Sequence, residues 1–328
     1  MTGNLLRDLQ TECGGSIPFS RFMEAALYHP DCGYYTTRVR TLGRAGDFST
    51  WPGLHSSLAR AVATWLRGQP SRHIIEAGAG TGELAAGVLK NLGFFQRLRT
   101  TYHIVEISPV LRAAQEKLLK GKNVRWHHGM KQALEAADGR ANIFSNELPD
   151  AFPCRVFVRQ DSRWKELALK IDGGSVREVL QEGLLPESSS LEGNPPDGSR
   201  VEVHESYRHW LESWSGFWKK GSLLTVDYGN TMPVLYHRRS AGSLRAYAHH
   251  QHLVGADVYG AFGHRDITAD VNFTDLANWG RMLGWENVSL EPLTEFMRSQ
   301  CPQIQLPEAF TAAGEAFQAL HQRKSASS

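Results

Sequence analysis

Apolar positions recur at helical spacing from residue 54: Leu54, Leu58, Ala61, Val62, Trp65 and Leu66 share one face, and Gly68 and Pro70 end the predicted helix. The period then changes. His73, Ile74 and Ile75 read as a strand that runs into the loop EAGAGTG at 76–82, after which Leu84, Ala85, Val88 and Leu89 resume the helical repeat. A second strand, 102–106, stops before Ser108 and Pro109, an N-cap residue followed by the proline favoured at the first helical position. Residues 124–126 predict a third strand and 141–145 a fourth, which leads into NELPD at 146–150. A fifth, 222–227, is broken by Tyr228 and Gly229. Strands alternating with helices predict an α/β fold built on a doubly wound parallel sheet.

About seventy residues separate the fourth and fifth strands, far more than the usual connection of about 2 to 6, so an inserted subdomain is expected there. Within it, 155–171 suits a β-hairpin, and 183–199 is rich in Pro, Ser and Gly and reads as irregular. Tyr207, Trp210, Leu211, Trp214, Phe217 and Trp218 share a helical face that reads as core packing rather than a cofactor box. Further on, Thr274 is placed to cap a helix that runs to Met282 and stops at Gly284, with a strand over 285–290. The segment 17–50 reads as a short helix with loops, and the final HQRKSASS as a frayed tail. The resulting division is an N-terminal helical extension with a loop (1–70), the first half of the sheet domain (71–153), the inserted hairpin and helical subdomain (154–220), and the second half with its tail (221–328).

Composition narrows the picture. With 41% hydrophobic and 21% charged residues the 328-residue chain can bury a sizeable core, and a net charge of +2 does not suggest a general phosphate-tracking surface, so no nucleic-acid partner is expected. Cys13, Cys32, Cys154 and Cys301 form no CxxC pair, which argues against a disulfide framework or a cysteine zinc site and points to a reducing, cytoplasmic location. No apolar run reaches the roughly 20 residues of a membrane span. Arg7, Asp8 and Glu12 near the start, without an apolar stretch, give no leader signature. His127, His128, His249, His250 and His252 lack acidic or cysteine partners at recognised spacing, so no metal is expected. Arg38, Arg40 and Arg44 read as a solvated loop, and nothing fixes an oligomeric state.

A glycine loop between strand and helix presents backbone N–H groups where an anion is favoured. A dinucleotide fingerprint needs GxGxxG, whereas Gly78, Gly80 and Gly82 alternate and Glu83 takes the last fingerprint position. The arrangement resembles instead the first motif of S-adenosyl-L-methionine (SAM)-dependent methyltransferases, an acid two places before GxGxG. In such a site Glu76 meets the amino group of SAM and the loop of Gly78, Ala79, Gly80 and Gly82 meets its carboxylate. Glu106, with Ile107 beside it, accepts the ribose hydroxyls.

Segments outside this core carry a sharper resemblance. IPFSRFMEAALYHPDCGYY at 17–35, GDFST at 46–50, NELPDAFP at 146–153, LLTVDYG at 223–229, LRAY at 244–247 and DITADVNF at 266–273 together resemble the MidA-like methyltransferases, over about residues 17–300. The family includes the mitochondrial complex I assembly factor. The resemblance implies a class I, Rossmann-like methyltransferase fold and, in mitochondrial members, methylation of an arginine on a respiratory-complex subunit. It also implies that the loop of Gly46, Asp47 and Thr50 closes over SAM, with Asn146 at the same site. The chain departs from the family pattern at Gly53, Leu148, Pro149, Asp270 and Asn272. An arginine acceptor stays protonated in water, with a pKa above about 12, so carboxylates must orient it. The candidates are Glu147 foremost, beside Asn146, then Asp227 and Asp47. A protein methyltransferase is the leading expectation; a catalytically silent SAM-binding scaffold and a small-molecule methyltransferase are the alternatives.

Overall fold

The computed structural model describes residues 2–38, 52–173, 175–248, 251–253, 255–260, 262–306 and 316–325. The chain divides into two compact units, one of Met1–Val39, Pro149–His209 and Asn230–Asp275, the other of Arg40–Leu148, Trp210–Gly229 and Leu276–Ser328.

The second unit carries the doubly wound sheet that the alternating pattern predicts. Its strands are β1 (His73–Ala77), β2 (Thr101–Val105), β3 (Val124–His127), β4 (Asn142–Asn146), β5 (Gly221–Asn230), β6 (Glu286–Pro292) and β7 (Phe317–Lys324), in the order β3-β2-β1-β4-β5-β7-β6. The neighbours from β3 across to β5 pair in parallel, and β7 runs antiparallel to both β5 and β6. From β1 the chain winds outward through β2 and β3, then returns to the other side with β4. The carboxyl ends of β1 and β4 therefore flank the reversal where such sheets open a crevice.

Helices α1 (Pro52–Arg67), α2 (Glu83–Asn91), α3 (Phe94–Arg99) and α4 (Pro109–Leu118) belong to this unit. Their apolar stripes explain the packing: Leu58, Val62 and Trp65 of α1 and Leu84 and Val88 of α2 join Ile74, Tyr102, Phe144, Leu224 and Phe317 in one buried cluster. Trp214 and Trp285 stack with ring centroids 5.4 Å apart, and Trp218 meets Trp285 edge-on at 5.2 Å. Phe217 leaves the predicted stripe and is 37% exposed, because the helix that carries the stripe ends at Ser215. A row of imidazoles crosses β1, β2 and β3. His73 Nδ1 lies 3.0 Å from His103 Nε2, and His103 Nδ1 lies 2.9 Å from His127 Nε2. Burial, reinforced by His127, His73 and Arg125, pushes His103 down to about 3, so it is neutral near pH 7.

In the first unit the predicted hairpin forms from Arg155–Gln160 and Arg163–Asp172, and Asp161 and Ser162 turn the chain with φ of 51° and 60°. Ser175–Gln181 extends this sheet on one side of the hairpin and Arg200–Val203 on the other. Asp270 accepts hydrogen bonds from Arg239 and Arg245, and Asn272 Nδ2 donates to the hydroxyls of Ser189 and Ser190. Two of the family departures thus serve contacts internal to this unit.

Three expectations are corrected. Residues 317–324 are a buried strand, not a tail, and β5 continues past Asp227 to Asn230 because Tyr228 pairs with Phe317 of β7. The helix Phe273–Met282 is capped by Asn272, whose Oδ1 accepts from the N–H groups of Thr274 and Asp275, two residues earlier than the pattern suggests. His127 belongs to the imidazole row, while His249 and His250 lie outside the described residues.

Candidate functional site

The loop after β1 turns sharply, with φ of 70° at Gly78, 54° at Gly80 and 86° at Gly82. These are left-handed conformations that side chains resist, which is why glycine alternates here. A Cβ on Gly78 would sit 2.8 Å from Leu148 Cδ1, so the loop and the segment after β4 press together at the sheet reversal. Gly78 N–H donates to the Val105 carbonyl and Gly82 N–H to that of Ala79, which fixes both ends of the turn.

Glu76, on β1, is 2% exposed, and its Oε2 accepts a hydrogen bond of 2.6 Å from the Tyr102 hydroxyl on β2. Burial pushes its carboxyl up to about 7; the Tyr102 hydrogen bond opposes the rise and the charge of Glu106 adds to it. A buried carboxylate met by a neutral phenol suits a cationic ligand group.

Glu106 follows β2 and is 6% exposed. Its Oε1 accepts from Ser108 N–H at 2.8 Å and its Oε2 from Gln115 Nε2 at 2.9 Å. Burial raises its pKa against the hydrogen bonds from Ser108, Gln115 and Ile107. The Ser108 hydroxyl accepts from Leu111 N–H at the start of α4, the predicted cap, and Ile107 is 59% exposed.

The sequence pattern alone does not reveal Gln115. Fully buried on α4, its Nε2 donates to both Glu106 Oε2 and the Gly80 carbonyl (2.7 Å), and its Oε1 accepts from Trp126 Nε1 at 3.1 Å. One side chain fastens the acid after β2 to the glycine loop after β1. The available signal was a polar residue four positions after Leu111, on the apolar face of α4.

At the end of β4, Asn146 and Glu147 are half-buried. Glu147 has φ of 52°, its N–H donates to the Val226 carbonyl, and its Oε1 accepts from Asn146 Nδ2 at 3.1 Å. Asp227 is fully buried on β5 and accepts from Leu148 N–H (3.2 Å) and Tyr228 N–H (2.7 Å). The structure thus brings together Glu76, the glycine loop, Glu106, Asn146, Glu147 and Asp227. Gly46, Asp47 and Thr50 lie outside the described residues.

Residues 57–289 match the family model described as "Putative S-adenosyl-L-methionine-dependent methyltransferase". A Drosophila melanogaster protein named protein arginine methyltransferase NDUFAF7 homolog, mitochondrial, is 28% identical over 311 residues, covering 83% of this chain and 68% of that one. The Danio rerio protein arginine methyltransferase NDUFAF7, mitochondrial, is 26% identical over 318 residues, covering 86% and 72%. Among solved structures, one from Burkholderia thailandensis bound to S-adenosyl-homocysteine superposes with a TM-score of 0.82 at 26% identity, covering 99% of this chain and 92% of that one.

The relatives' names overturn the cytoplasmic location, since they are mitochondrial. Cysteine spacing, on which that expectation rested, does not distinguish one reducing compartment from another. SAM as cofactor, the Rossmann-like fold and the MidA-like pattern agree with these matches, and the chain belongs to this family of SAM-dependent methyltransferases.

Proposed function

We propose that the chain methylates a protein side chain, an arginine nitrogen, with Glu147 meeting the acceptor. The observation that carries the proposal is Glu147 itself. A non-glycine residue held at φ 52° is strained, it sits at the sheet reversal beside the glycine loop, and strain of this kind gathers at functional sites. The relatives named as arginine methyltransferases support the choice of acceptor.

When bound, SAM supplies an electrophilic methyl group on a sulfonium. Glu76 would then hold its ammonium, the loop of Gly78, Ala79, Gly80 and Gly82 its carboxylate, and Glu106, with Ile107 alongside, its ribose. Gly46, Asp47 and Thr50 remain candidates for closing the site, and Asn146 orients Glu147. Asp227 acts as a positioning residue, fixing Leu148 N–H and so the turn that carries Glu147. The carboxylate of Glu147 orients the guanidinium fork so that one nitrogen approaches in line; proximity does most of the work.

The test is incubation of the purified protein and an extract of its host with methyl-labelled SAM, followed by hydrolysis of the protein fraction. Methylarginine supports the proposal. Label confined to small molecules, or no transfer with SAM bound, sinks it in favour of a small-molecule enzyme or a silent scaffold.

Two further results are expected at the cofactor acids. Gln115→Leu frees both Glu106 and the Gly80 carbonyl from their shared donor, and should weaken SAM about tenfold by calorimetry, the loss of one charge-assisted hydrogen bond. Glu76 makes SAM affinity depend on pH, because only its ionised form pairs with an ammonium. Affinity should rise as pH increases through about 7, and in Tyr102→Phe, which loses a hydrogen bond that favours ionisation, the rise should move to higher pH. The sign for stability is opposite. Between 4.5 and about 7 the folded chain keeps a proton that the unfolded chain has released, so this acid's contribution falls as pH rises across that window, by about 3 kcal/mol in total. Glu76→Gln should therefore bind SAM far more weakly yet melt higher at pH 8. A variant that melts lower at that pH would contradict the assignment.

A further inference from the structure

The amino ends of β1, β2 and β3, opposite the cofactor loop, gather an unusual surface. Phe94, Phe95 and Leu98 of α3 are 60%, 75% and 66% exposed, and Leu118 at the end of α4 is 47% exposed. The Phe94 and Phe95 rings meet edge to face at 5.6 Å and form an apolar wedge.

Around them positive charge predominates, although Asp138 lies near His73 and Glu116 precedes Leu118 on α4. Residues 48–75, 84–105 and 117–134 contain no Asp or Glu. Three hydrogen bonds bring these stretches together: Asn123 Nδ2 donates to the Thr100 carbonyl, Tyr102 N–H to that of Asn123, and Thr101 N–H to that of Arg72. Arg67 joins them by donating to the Asn91 carbonyl. Arg67, Arg72, Lys90, Arg99, Lys120 and Lys122 are all exposed here, and none takes part in an ion pair among the described residues. The chain as a whole is nearly neutral, so this is a local asymmetry.

We infer that this edge docks on an anionic lipid surface, with Phe94, Phe95 and Leu98 entering the headgroup region and the surrounding lysines and arginines meeting lipid phosphates. Exposed apolar side chains ringed by cations are the signature of interfacial binding, and charge complementarity selects anionic over neutral lipid. Edge-to-face rings disfavour the parallel stacking that single-stranded nucleic acid would use. Docking here leaves the cofactor loop, at the other end of the strands, turned away from the bilayer.

The test is sedimentation of the full chain with vesicles of phosphatidylcholine alone and of equal parts phosphatidylcholine and phosphatidylglycerol. Binding is expected only to the second, weakening with added salt. Phe94→Ser with Phe95→Ser should reduce partition about tenfold, and Lys120→Ser with Lys122→Ser by a similar factor. Both variants keep S-adenosyl-homocysteine binding as the control for folding. Equal binding to both vesicles, no binding to either, or unchanged partition in both variants overturns the inference. So does displacement from anionic vesicles by a single-stranded oligonucleotide at lower concentration than the lipid.

Discussion

A chain stopped after residue 316 is expected to accumulate as insoluble, largely unfolded protein. β7 lies between β5 and β6, pairing Leu224 with His321 on one side and Leu290 with Leu320 on the other. Its removal takes Phe317, Ala319 and Leu320 out of the core, worth about 5 kcal/mol in burial. Two hydrogen-bonded ladders go with it, and β6 loses the strand that joins it to the sheet. Gln322 Nε2 no longer reaches Asn287 Oδ1, nor Lys324 Nζ the Ser215 carbonyl. Together these losses exceed the roughly 5–15 kcal/mol of net stability of an ordinary protein. Soluble yield and far-ultraviolet circular dichroism provide the measurement. A soluble product with a cooperative melt near that of the full chain would show that β7 is dispensable.

Glu147→Ala should reduce methyl transfer by about 10³-fold while SAM affinity stays within about twofold. The change removes the carboxylate proposed to orient the acceptor and touches neither Glu76 nor Glu106. Because alanine at φ 52° is strained much as glutamate is, the melting temperature should hardly move. Glu147→Gly offers the complement: relief of that strain should stabilise the fold by up to about 1 kcal/mol, with transfer still lost. Initial rates, calorimetric Kd and Tm on the three proteins separate the roles. Retained transfer in both variants would remove Glu147 from the mechanism.

The parts of this molecule that were legible in the sequence share one property: each depends on a short, local pattern. The strand, glycine turn and helix around 73–91 appear as a change of period, and Glu76 and Glu106 stand out as acids at predicted strand ends. Residues 317–324 resisted that reading because their polar positions are buried too. His321 packs edge-on against Trp65 and Gln322 is 2% exposed, so the strand shows neither alternation nor an apolar run. Once β7 is missed, the continuation of β5 beyond Asp227 cannot be anticipated, since the pairing with Phe317 sustains it. Gln115 was hidden for a different reason. Its importance lies in joining Gly80, Glu106 and Trp126, which are brought together only by the winding of the sheet. The cap lies at Asn272, two residues before Thr274, within the one or two residues by which helix starts commonly differ.

The three imidazoles across β1, β2 and β3 obey a simple arithmetic of hydrogens. Each of the two contacts has room for one N–H, and a neutral ring carries only one. If His103 donates toward His73 it must accept from His127, and if His73 donates toward His103 then His103 must donate onward. The tautomers are therefore locked in series, and the row has two orientations with no mixed state that keeps both contacts. Replacing the middle ring with phenylalanine would decouple the ends, so that the tautomer of His127 no longer reports that of His73.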